Sequence, residues 1–393
     1  MAKTEAEETI VINRPDGSTD PVSRSSAAPP RVAIIAPGEI FGGAERQILT
    51  LASTLRLTGS ATKLLVFHDG ELARRARSSG IATQVLGARG VLDVESLRLL
   101  RRALADFAAD VVHVHGYRAA VYSSLIGRRS FAVVKTEHGS PELPSGRVLA
   151  RLKLDVYRRL ESWATRRLRA HVVYVTEDLR RITLSQHSSS SVIHNGIERL
   201  DAQPTTRPPE YQEGHVNIAI VGRLEPIKGI DYALRAMTAP RMPSAARLHI
   251  VGSGPMLSEL QSLARNLGIE DRTGFLGFRD NVYDYIAHAD ALLMPSLHEG
   301  LPYTILEAMA LRTPILATRV GGLAEVLVDG ETALLFEPGE AGAIADAIAR
   351  LCQNSSLPHS LAARALDDVR TRFSAEAMAD KYVGLFNAIR PRC

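Results

Sequence analysis

The chain has 393 residues, of which 45% are apolar and 23% are charged, so it has the composition of a globular protein too long for one ordinary core. Its two cysteines, Cys352 and Cys393, exclude a disulfide framework and fit a reducing cytosol. No apolar run is long enough to span a membrane, and the N-terminus MAKTEAEETIV has no apolar signal core, so we expect neither a transmembrane helix nor a secretory signal. The net charge of +4 hides an asymmetry, because residues 31–200 carry a net +11 and residues 201–393 a net −5.

The first half predicts a parallel sheet covered by helices on both faces. Residues 1–30 are polar and end in PVSRSSAAPP, which predicts a disordered leader. The run RVAIIAPG then predicts a buried strand, and GAERQILTLASTLRLTG has the apolar spacing of a helix that ends at Gly59. The same alternation continues through KLLVF, TQVLG, DVVHVH, AVVKTEH and HVVYV, with a helical pattern from Val94 to Phe107 among them. Residues 31–200 are therefore expected to form one doubly wound domain.

A second series of the same kind follows a linker. Residues 201–214 contain three prolines and no apolar period, which indicates the linker. The segments VNIAIVG, RLHIVG, ALLMP and PILAT predict strands of a second α/β domain at 215–373. Helical patterns end the chain near 340–352, 360–371 and 374–389.

Ligands of such sheets bind beyond the carboxyl ends of the strands, so the residues that follow each strand are the candidates for chemistry. Gly42 and Gly43 open a helix and leave backbone N–H groups that can approach a phosphate or a sugar. Arg223 and Lys228 in RLEPIKG follow a strand and form a plausible diphosphate pocket. The plainer alternatives are an ordinary strand-to-helix turn and two solvated charges.

The most informative segment is ALLMPSLHEGLPYTILEAMALRTPILAT. Glu299 lies in its loop and Glu307 lies inside a helix for which Pro302 is the predicted first residue. The amides of Gly300 and Leu301 and the positive end of that helix are expected to face an anion. Carboxylates also accept hydrogen bonds from vicinal hydroxyls, as in ribose binding. The alternative is one capping glutamate and one solvated glutamate.

His138 is a further candidate residue, and several common catalytic and cofactor motifs are missing from the sequence. His138 in KTEHG ends a strand, where it would face the second domain across a cleft, although a lone histidine is more often structural. The sequence has no D-x-D, no zinc-ligand spacing, no Walker loop, no G-x-S-x-G and no dinucleotide fingerprint. A departing diphosphate would therefore be neutralised by cationic side chains and helix ends, without a metal.

Residues 147–169 predict a basic amphipathic helix, with eight basic and two acidic residues. Apolar residues recur in it at helical spacing: Val148, Leu149, Leu152, Val156, Leu160 and Trp163. This pattern is typical of a helix that lies on an anionic membrane, and the alternative is a domain helix with a solvated basic face. No aromatic residues interleave the charges as in nucleic-acid binders, so we expect no nucleic acid partner.

Taken together, these pieces resemble the retaining glycosyltransferases of the GT-B fold, specifically glycosyltransferase family 4. The matching motifs occur in the family's order: GGAE at 42–45, the His138 segment, HNGIE at 194–198, GRLEPIKG at 222–229, VGSGP at 251–255, GFRDN at 277–281 and HEGLPYTILEAMA at 298–310. The resemblance covers about residues 31 to 390 and implies two Rossmann-like domains facing a central cleft, with the C-terminal helix at 374–393 crossing back to pack on the first. Glu198 stands where the family often has Asp.

The resemblance also implies roles for individual residues. It makes His138 and Glu299 the catalytic candidates, with His138 beside the reacting sugar and Glu299 in contact with it. Its implied binding residues are Arg223, Lys228, Gly43, Gly300 and Leu301 for the donor diphosphate, Glu307 for the ribose, Gly277 and Phe278 for the base, and Gly42 and Gly43 on the acceptor side.

The expected activity is transfer of a sugar, with retained anomeric configuration, from a UDP- or GDP-linked sugar to a lipid-linked or polysaccharide-precursor acceptor. The nucleotide sugar is a co-substrate, and neither a cofactor nor a metal is expected. The expected location is the cytoplasm, peripherally on the inner face of the membrane through residues 147–169. Two alternatives stay open: a sugar-nucleotide epimerase of the same architecture, and a non-catalytic nucleotide-sugar-binding protein.

Overall fold

The computed structural model describes residues 29–39, 41–87, 93–126, 130–139, 148–183, 189–200 and 205–391, and the backbone of two short strands before them; for 148–153 only the backbone is described. The chain divides into two compact units. The first unit comprises Met1–Gly196 together with Ala375–Cys393, and the second comprises Ile197–Ser374.

The first unit is built on a seven-stranded parallel sheet in the order β5-β4-β3-β6-β7-β8-β9. Its strands are β3 (Val32–Ala36), β4 (Thr62–Val66), β5 (Ala82–Val85), β6 (Val111–His115), β7 (Ala132–Glu137), β8 (His171–Tyr174) and β9 (Ser190–Val192). Its helices are α1 (Gly43–Leu57), α2 (Glu71–Ser78), α3 (Val94–Phe107), α4 (Gly116–Ser124), α5 (Val148–Leu168), α6 (Glu177–Ile182) and, from the end of the chain, α14 (Ala375–Ile389). All five residues of β3 and of β6 are buried, which explains why the sequence shows continuous apolar runs rather than alternation.

The C-terminal helix α14 belongs to the core of the first unit, as the resemblance implied. Tyr382, Leu385 and Phe386 are fully buried there with residues of β3, α1 and β7. The Tyr382 hydroxyl accepts a hydrogen bond from Gln47 of α1 over 3.1 Å. This helix therefore covers one face of the first sheet although the chain reaches it after the second unit.

The leader contains a short antiparallel pair that its polar composition did not indicate. Strand β1 (Val11–Asn13) pairs with β2 (Thr19–Pro21), with Val11 opposite Pro21. The rest of the predicted leader before residue 29 lies outside the described residues.

The second unit is built on a six-stranded parallel sheet in the order β12-β11-β10-β13-β14-β15. Its strands are β10 (Val216–Val221), β11 (Ala246–Val251), β12 (Thr273–Gly277), β13 (Ala291–Met294), β14 (Ile315–Thr318) and β15 (Leu334–Phe336). Its helices are α7 (Ile230–Ala236), α8 (Leu257–Leu267), α9 (Val282–Ala287), α10 (Tyr303–Ala310), α11 (Gly321–Val326), α12 (Ala341–Gln353) and α13 (Leu357–Thr371). The two outer strands, β12 and β15, were not recognised in the sequence because one is only half-buried and contains two glycines and the other has three residues.

The segment predicted as a linker packs against the second unit. Residues 201–204 lie outside the described part of the chain. Tyr211 is 3% exposed, and its hydroxyl donates a hydrogen bond to the Tyr285 carbonyl over 2.8 Å. The proline-rich stretch is therefore anchored in the core rather than suspended in solvent.

In each parallel sheet, the chain adds strands on one side of its first strand and then switches once to the other side. We call this switch the reversal point, and it is where doubly wound sheets bind their ligands. In the first unit, the chain builds outward from β3 to β5 and then resumes on the other side at β6. In the second unit, the equivalent change occurs between β10 and β13. Loops leave these neighbouring strands in opposite directions, which opens a crevice at the carboxyl edge.

Candidate functional site

Two loops meet at the reversal point of the second unit, one after β10 and one after β13. The Leu297 amide donates a hydrogen bond to the Ile227 carbonyl over 2.8 Å. Gly229 has a positive φ of 61°, and a Cβ at that position would overlap the carbonyl oxygen of Pro295. Glycine is required there both for the backbone conformation and for the close approach of the two loops.

This contact brings two predicted site residues together. Lys228 Nζ donates a hydrogen bond to Glu299 Oε1 over 2.7 Å, and Ser296 Oγ donates to the same oxygen over 2.7 Å. The Glu299 side chain is 8% exposed and that of Lys228 is 27% exposed. The Glu299 carbonyl accepts a hydrogen bond from the Gly322 amide at the start of α11, which fixes the backbone of the loop. The Glu299 carboxylate is therefore largely shielded from water, and hydrogen bonds from Lys228, Ser296 and the Gly322 amide fix its side chain and backbone.

The other predicted cation, Arg223, contacts a different carboxylate. It pairs with Glu225, whose side chain is 8% exposed, while 76% of the Arg223 side chain is exposed. Each cation predicted for the diphosphate is therefore balanced by a buried carboxylate, Arg223 by one from its own loop and Lys228 by one from the loop after β13. The sequence analysis did not single out Glu225 or Ser296, and their position beside the motif residues was the signal available.

The loops after β11 and β12 lie beside the loop after β10, and glycines allow their close contact. Gly252, with φ of 143°, donates its amide to the Gly277 carbonyl over 2.8 Å. A Cβ at Gly254 would stand 2.5 Å from the amide nitrogen of Leu224, in the loop after β10. Phe278, predicted at the base site, follows β12 with 74% of its surface exposed. The loops after β10, β11 and β12 thus form one continuous surface that ends in an exposed aromatic ring.

The remaining predicted residues of this unit lie on and before α10. Glu307 is the fifth residue of this helix and is 3% exposed. Leu301 packs into the core and Gly300 is half-buried. Pro302 caps the helix with an extended backbone, so the predicted first helical residue is in fact the residue before it. Its φ of −73° suits either position, and only its ψ of 139° distinguishes them.

In the first unit, Gly42 and Gly43 begin α1 as predicted. Gly42 is the capping residue, and its amide donates to Glu45 Oε2 over 3.0 Å. Burial raises the pKa of the Glu45 carboxyl. Among the described residues, no atom apart from its chain neighbours and the backbone of α1 lies within 4 Å of the position of a Cβ at Gly43. The first turn of α1 therefore presents free space at Gly43 and a carboxylate at Glu45.

His138 follows β7 and belongs to a row of three histidines. Its Nε2 lies 2.9 Å from Nδ1 of His115, and the His115 ring lies 4.3 Å from that of His113. Burial lowers the pKa of His113 to about 3 and of His138 to about 4, and holds the pKa of His115 well below its usual value. All three rings are therefore neutral at pH 7. The spacing H-x-H at the end of β6 was visible in the sequence but was not used.

A second cluster at the same edge was also missed. Arg118 Nη1 lies 2.8 Å from Glu39 Oε1 and 2.8 Å from His68 Nε2. These residues follow β3, β4 and β6, the strands around the reversal point, and nothing but that placement identifies them in a sequence. The Arg118 side chain is 14% exposed and lies over the Phe67 ring at 5.8 Å. The cluster offers both hydrogen-bond donors and an acceptor at the carboxyl edge.

Helix α5 carries an exposed apolar stripe, formed by Val156, Leu160 and Trp163. These side chains are 45%, 39% and 45% exposed. Four exposed arginines share the helix with them: Arg158, Arg159, Arg166 and Arg167. Among the helices of the described residues, none is long and apolar enough to cross a membrane. In the same residues, no three His, Cys, Asp or Glu side chains are grouped as a metal site would require.

Two family models match most of the chain. Residues 41–199 match Glycosyltransferase Family 4, and residues 205–368 match Glycosyl transferases group 1. The chain belongs to glycosyltransferase family 4.

Known relatives of this family 4 chain differ in how much of their length it spans. It is 32% identical to N-acetyl-alpha-D-glucosaminyl L-malate synthase of Bacillus anthracis over 42% of its own length, which is 44% of that protein. It is 26% identical to the lipopolysaccharide core biosynthesis glycosyltransferase LpsD of Rhizobium meliloti over 88% of its own length and 95% of that protein. The chain thus spans less than half of the first relative and nearly all of the second.

Solved structures share the GT-B fold of this family 4 chain. HepE of Anabaena, solved in complex with UDP, superposes with a TM-score of 0.77 at 20% identity and covers 91% of this chain and 100% of that one. WaaG, a glycosyltransferase involved in lipopolysaccharide biosynthesis, superposes with a TM-score of 0.66 at 17% identity over 90% of this chain and 99% of that one. At these identities the likeness concerns the fold.

Proposed function

We propose that this chain is a retaining glycosyltransferase that moves a sugar from a UDP- or GDP-linked donor to a lipid-linked or polysaccharide-precursor acceptor, without a metal. The observation that carries the proposal is the Lys228–Glu299 pair at the reversal point of the second sheet, 2.7 Å apart. It puts a cation and a carboxylate where doubly wound sheets bind nucleotides. The UDP complex of HepE, a protein of the same fold, supports a nucleoside diphosphate as the ligand.

In this proposal the charge of the donor diphosphate is met by Lys228 and Arg223. Arg223 is mostly exposed and turns from Glu225 to the incoming phosphates, whereas Lys228 is already placed by Glu299. The start of α10 adds the positive end of a helix. These groups stabilise the negative charge that develops on the diphosphate as the glycosidic bond breaks.

Given the retention that we propose, the contacts of Glu299 favour attack by the acceptor over a covalent glycosyl-enzyme intermediate. Glu299 Oε1 accepts hydrogen bonds from both Lys228 and Ser296, which lowers its nucleophilicity. We therefore assign it to a hydrogen bond with the donor sugar. The acceptor oxygen bonds to the anomeric carbon on the face that the diphosphate leaves, and its proton passes to the departing phosphate oxygen.

The acceptor side of the proposal is a membrane surface. The exposed stripe of α5 combines Trp163 and two aliphatic side chains with flanking arginines, which is the arrangement that lies on an anionic bilayer. On this basis we propose a lipid-linked acceptor and a peripheral location on the inner face of the membrane. Flotation with phosphatidylglycerol vesicles tests this, since Trp163→Ser should reduce recovery several-fold. Val94→Ser, at an exposed valine of α3, should leave recovery unchanged. Equal recovery of the parent with purely zwitterionic vesicles would contradict the recognition of an anionic bilayer by α5.

Calorimetric titration with UDP tests the donor site. Lys228→Met should weaken UDP binding roughly 10- to 150-fold, since a hydrogen bond to a charged group contributes about 1.5–3 kcal/mol. Glu299→Gln removes a negative charge beside the diphosphate, so it should bind UDP at least as well as the parent while losing turnover of UDP-glucose. EDTA should leave the affinity of the parent unchanged.

The control is Arg241→Met, at an exposed Arg241–Asp346 pair 3.2 Å apart on the amino side of β11. It should bind UDP like the parent. An unaltered UDP affinity in Lys228→Met would contradict the diphosphate assignment. Conversion of UDP-glucose to an epimer with no release of UDP would instead favour an epimerase.

A further inference from the structure

His115 and His138 form a hydrogen-bonded pair of neutral rings at the carboxyl edge of the first sheet. Nδ1 of His115 lies 2.9 Å from Nε2 of His138, and the two rings are 28° from coplanar with their centres 5.1 Å apart. This is the geometry of an edge-to-edge hydrogen bond. His115 is 2% exposed, whereas His138 is only partly buried. His138 is therefore the member of the pair that a ligand can touch.

The burial of His115 decides where the shared proton resides. Each neutral imidazole has one proton, so one nitrogen of the pair donates and the other accepts. If His138 donated, the remaining proton of His115 would sit on Nε2, which is buried and has no hydrogen-bond partner among the described residues. An unpaired buried N–H group is rarer and costs more than an unpaired lone pair. The proton therefore belongs on Nδ1 of His115.

We infer that His115 is a positioning residue that donates its Nδ1 proton to His138 and so holds His138 in the tautomer protonated at Nδ1. His138 consequently offers an N–H donor, rather than a lone pair, to the ligand of this edge. A donor at this nitrogen binds a hydroxyl oxygen of the reacting sugar and does not remove a proton from it. The consequence for turnover rests on the proposed glycosyl transfer, whereas the tautomer itself does not.

The wall behind the pair keeps His115 in place. His113 stacks at 4.3 Å from His115 and hydrogen-bonds through Nε2 to the Thr136 hydroxyl over 2.7 Å. The Thr136 hydroxyl in turn lies 2.8 Å from that of Tyr382 in α14. Phe386 of the same helix lies 5.8 Å from His113. Nε2 of His115 is itself buried, which is the condition that fixes the tautomer.

Long-range proton–nitrogen NMR spectra of the full chain, labelled with ¹⁵N-histidine, test the inference at pH 7. In the parent, we expect His138 to show a protonated Nδ1 and a bare Nε2. In His115→Leu the donor is lost, and His138 should move to the tautomer protonated at Nε2. His115→Asn places an amide N–H near the lost Nδ1 and should restore the parent tautomer. A protonated Nε2 of His138 in the parent, or an unchanged tautomer in His115→Leu, would overturn the inference.

Kinetics and a control separate this effect from a structural one. His171→Asn changes another buried histidine of the same sheet, which bonds to Ser189 and Ser191 instead, and should leave the His138 signals unchanged. With UDP-glucose, His115→Leu should lower kcat at least tenfold with little change in the donor KM, and His115→Asn should recover most of it. If no sugar nucleotide is turned over, the proposed function fails, but the NMR result still decides the tautomer. If His115→Leu does not fold, the parent spectrum and the His115→Asn spectrum decide it.

Discussion

The contact between the loops that follow β10 and β13 predicts a large effect for Gly229→Ala. A Cβ there would lie 2.2 Å from the carbonyl oxygen of Pro295, so the loops must separate by about 1 Å to reach an ordinary carbon–oxygen distance. A shift of that size stretches the 2.7 Å Lys228–Glu299 bond beyond the range of hydrogen bonding. The positive φ of 61° adds about 1–2 kcal/mol of backbone strain.

Gly268→Ala is the matched control for this strain. Gly268 has a φ of 65° in the same unit, but in the described part of the chain no atom beyond its two neighbours in sequence lies within 4 Å of its Cβ position. In urea unfolding, we expect Gly268→Ala to lose about 1–2 kcal/mol and Gly229→Ala about 3 kcal/mol or more. Calorimetry should give an unchanged UDP affinity for Gly268→Ala and at least a tenfold loss for Gly229→Ala. Parent-like UDP binding by a folded Gly229→Ala would refute the argument that this contact sets the site.

Three further predictions concern the first unit. Glu161→Gln should cost about 1.5–3 kcal/mol in urea unfolding, because it removes one of the two carboxylates that pair with the buried Lys135, the one 2.9 Å away, and leaves Glu137. Glu177→Gln, at an exposed pair, should cost under about 0.5 kcal/mol. Tyr382→Phe removes a buried hydroxyl that bonds to two side chains and should cost about 1–3 kcal/mol by the same measurement. Burial lowers the pKa of His113 to about 3, from about 6.5 in the unfolded chain. The unfolded chain therefore takes up a proton first, and the free energy of unfolding falls as the pH drops from 6.5 toward 3. His113→Phe should remove about 2 kcal/mol of the difference in this free energy between pH 7 and pH 5.

Much of the fold was predictable because its strands are buried on both faces. The continuous apolar runs at Val32–Ala36 and Ala291–Met294 predict short strands that are buried on both faces, and all their residues are buried. Helix Val94–Phe107 begins at Asp93, whose carboxylate accepts the Glu95 amide over 2.9 Å, so a local signal sets its start. The outer strand Leu334–Phe336 lacked such a signal, since three residues show no period and only its pairing with β14 makes it a strand.

The site was less predictable because its contacts join residues far apart in the chain. Lys228 and Glu299 were both recognised, but nothing local indicates that they bond to each other across 71 residues. Glu225 was overlooked because a carboxylate between two cations predicted to bind a diphosphate has no obvious purpose until its contact with Arg223 is known. His115 was overlooked for a similar reason, since its importance depends on His138 in the next strand.

The two edges differ in charge, and the difference suits the reaction proposed. In the second unit, the cations form ion pairs with buried carboxylates, Lys228 with Glu299 and Arg223 with Glu225. These pairs hold the loops in place before a phosphate binds. Such preorganised charge stabilises a leaving group that gains negative charge as its bond breaks. In the first unit, His115 and His138 are neutral, and a neutral donor suits sugar hydroxyls, whose charge changes little. A protonated His138 would place a positive charge beside hydroxyl groups that develop no negative charge to balance it. The burial that lowers its pKa to about 4 is therefore consistent with its proposed role as a neutral hydrogen-bond donor.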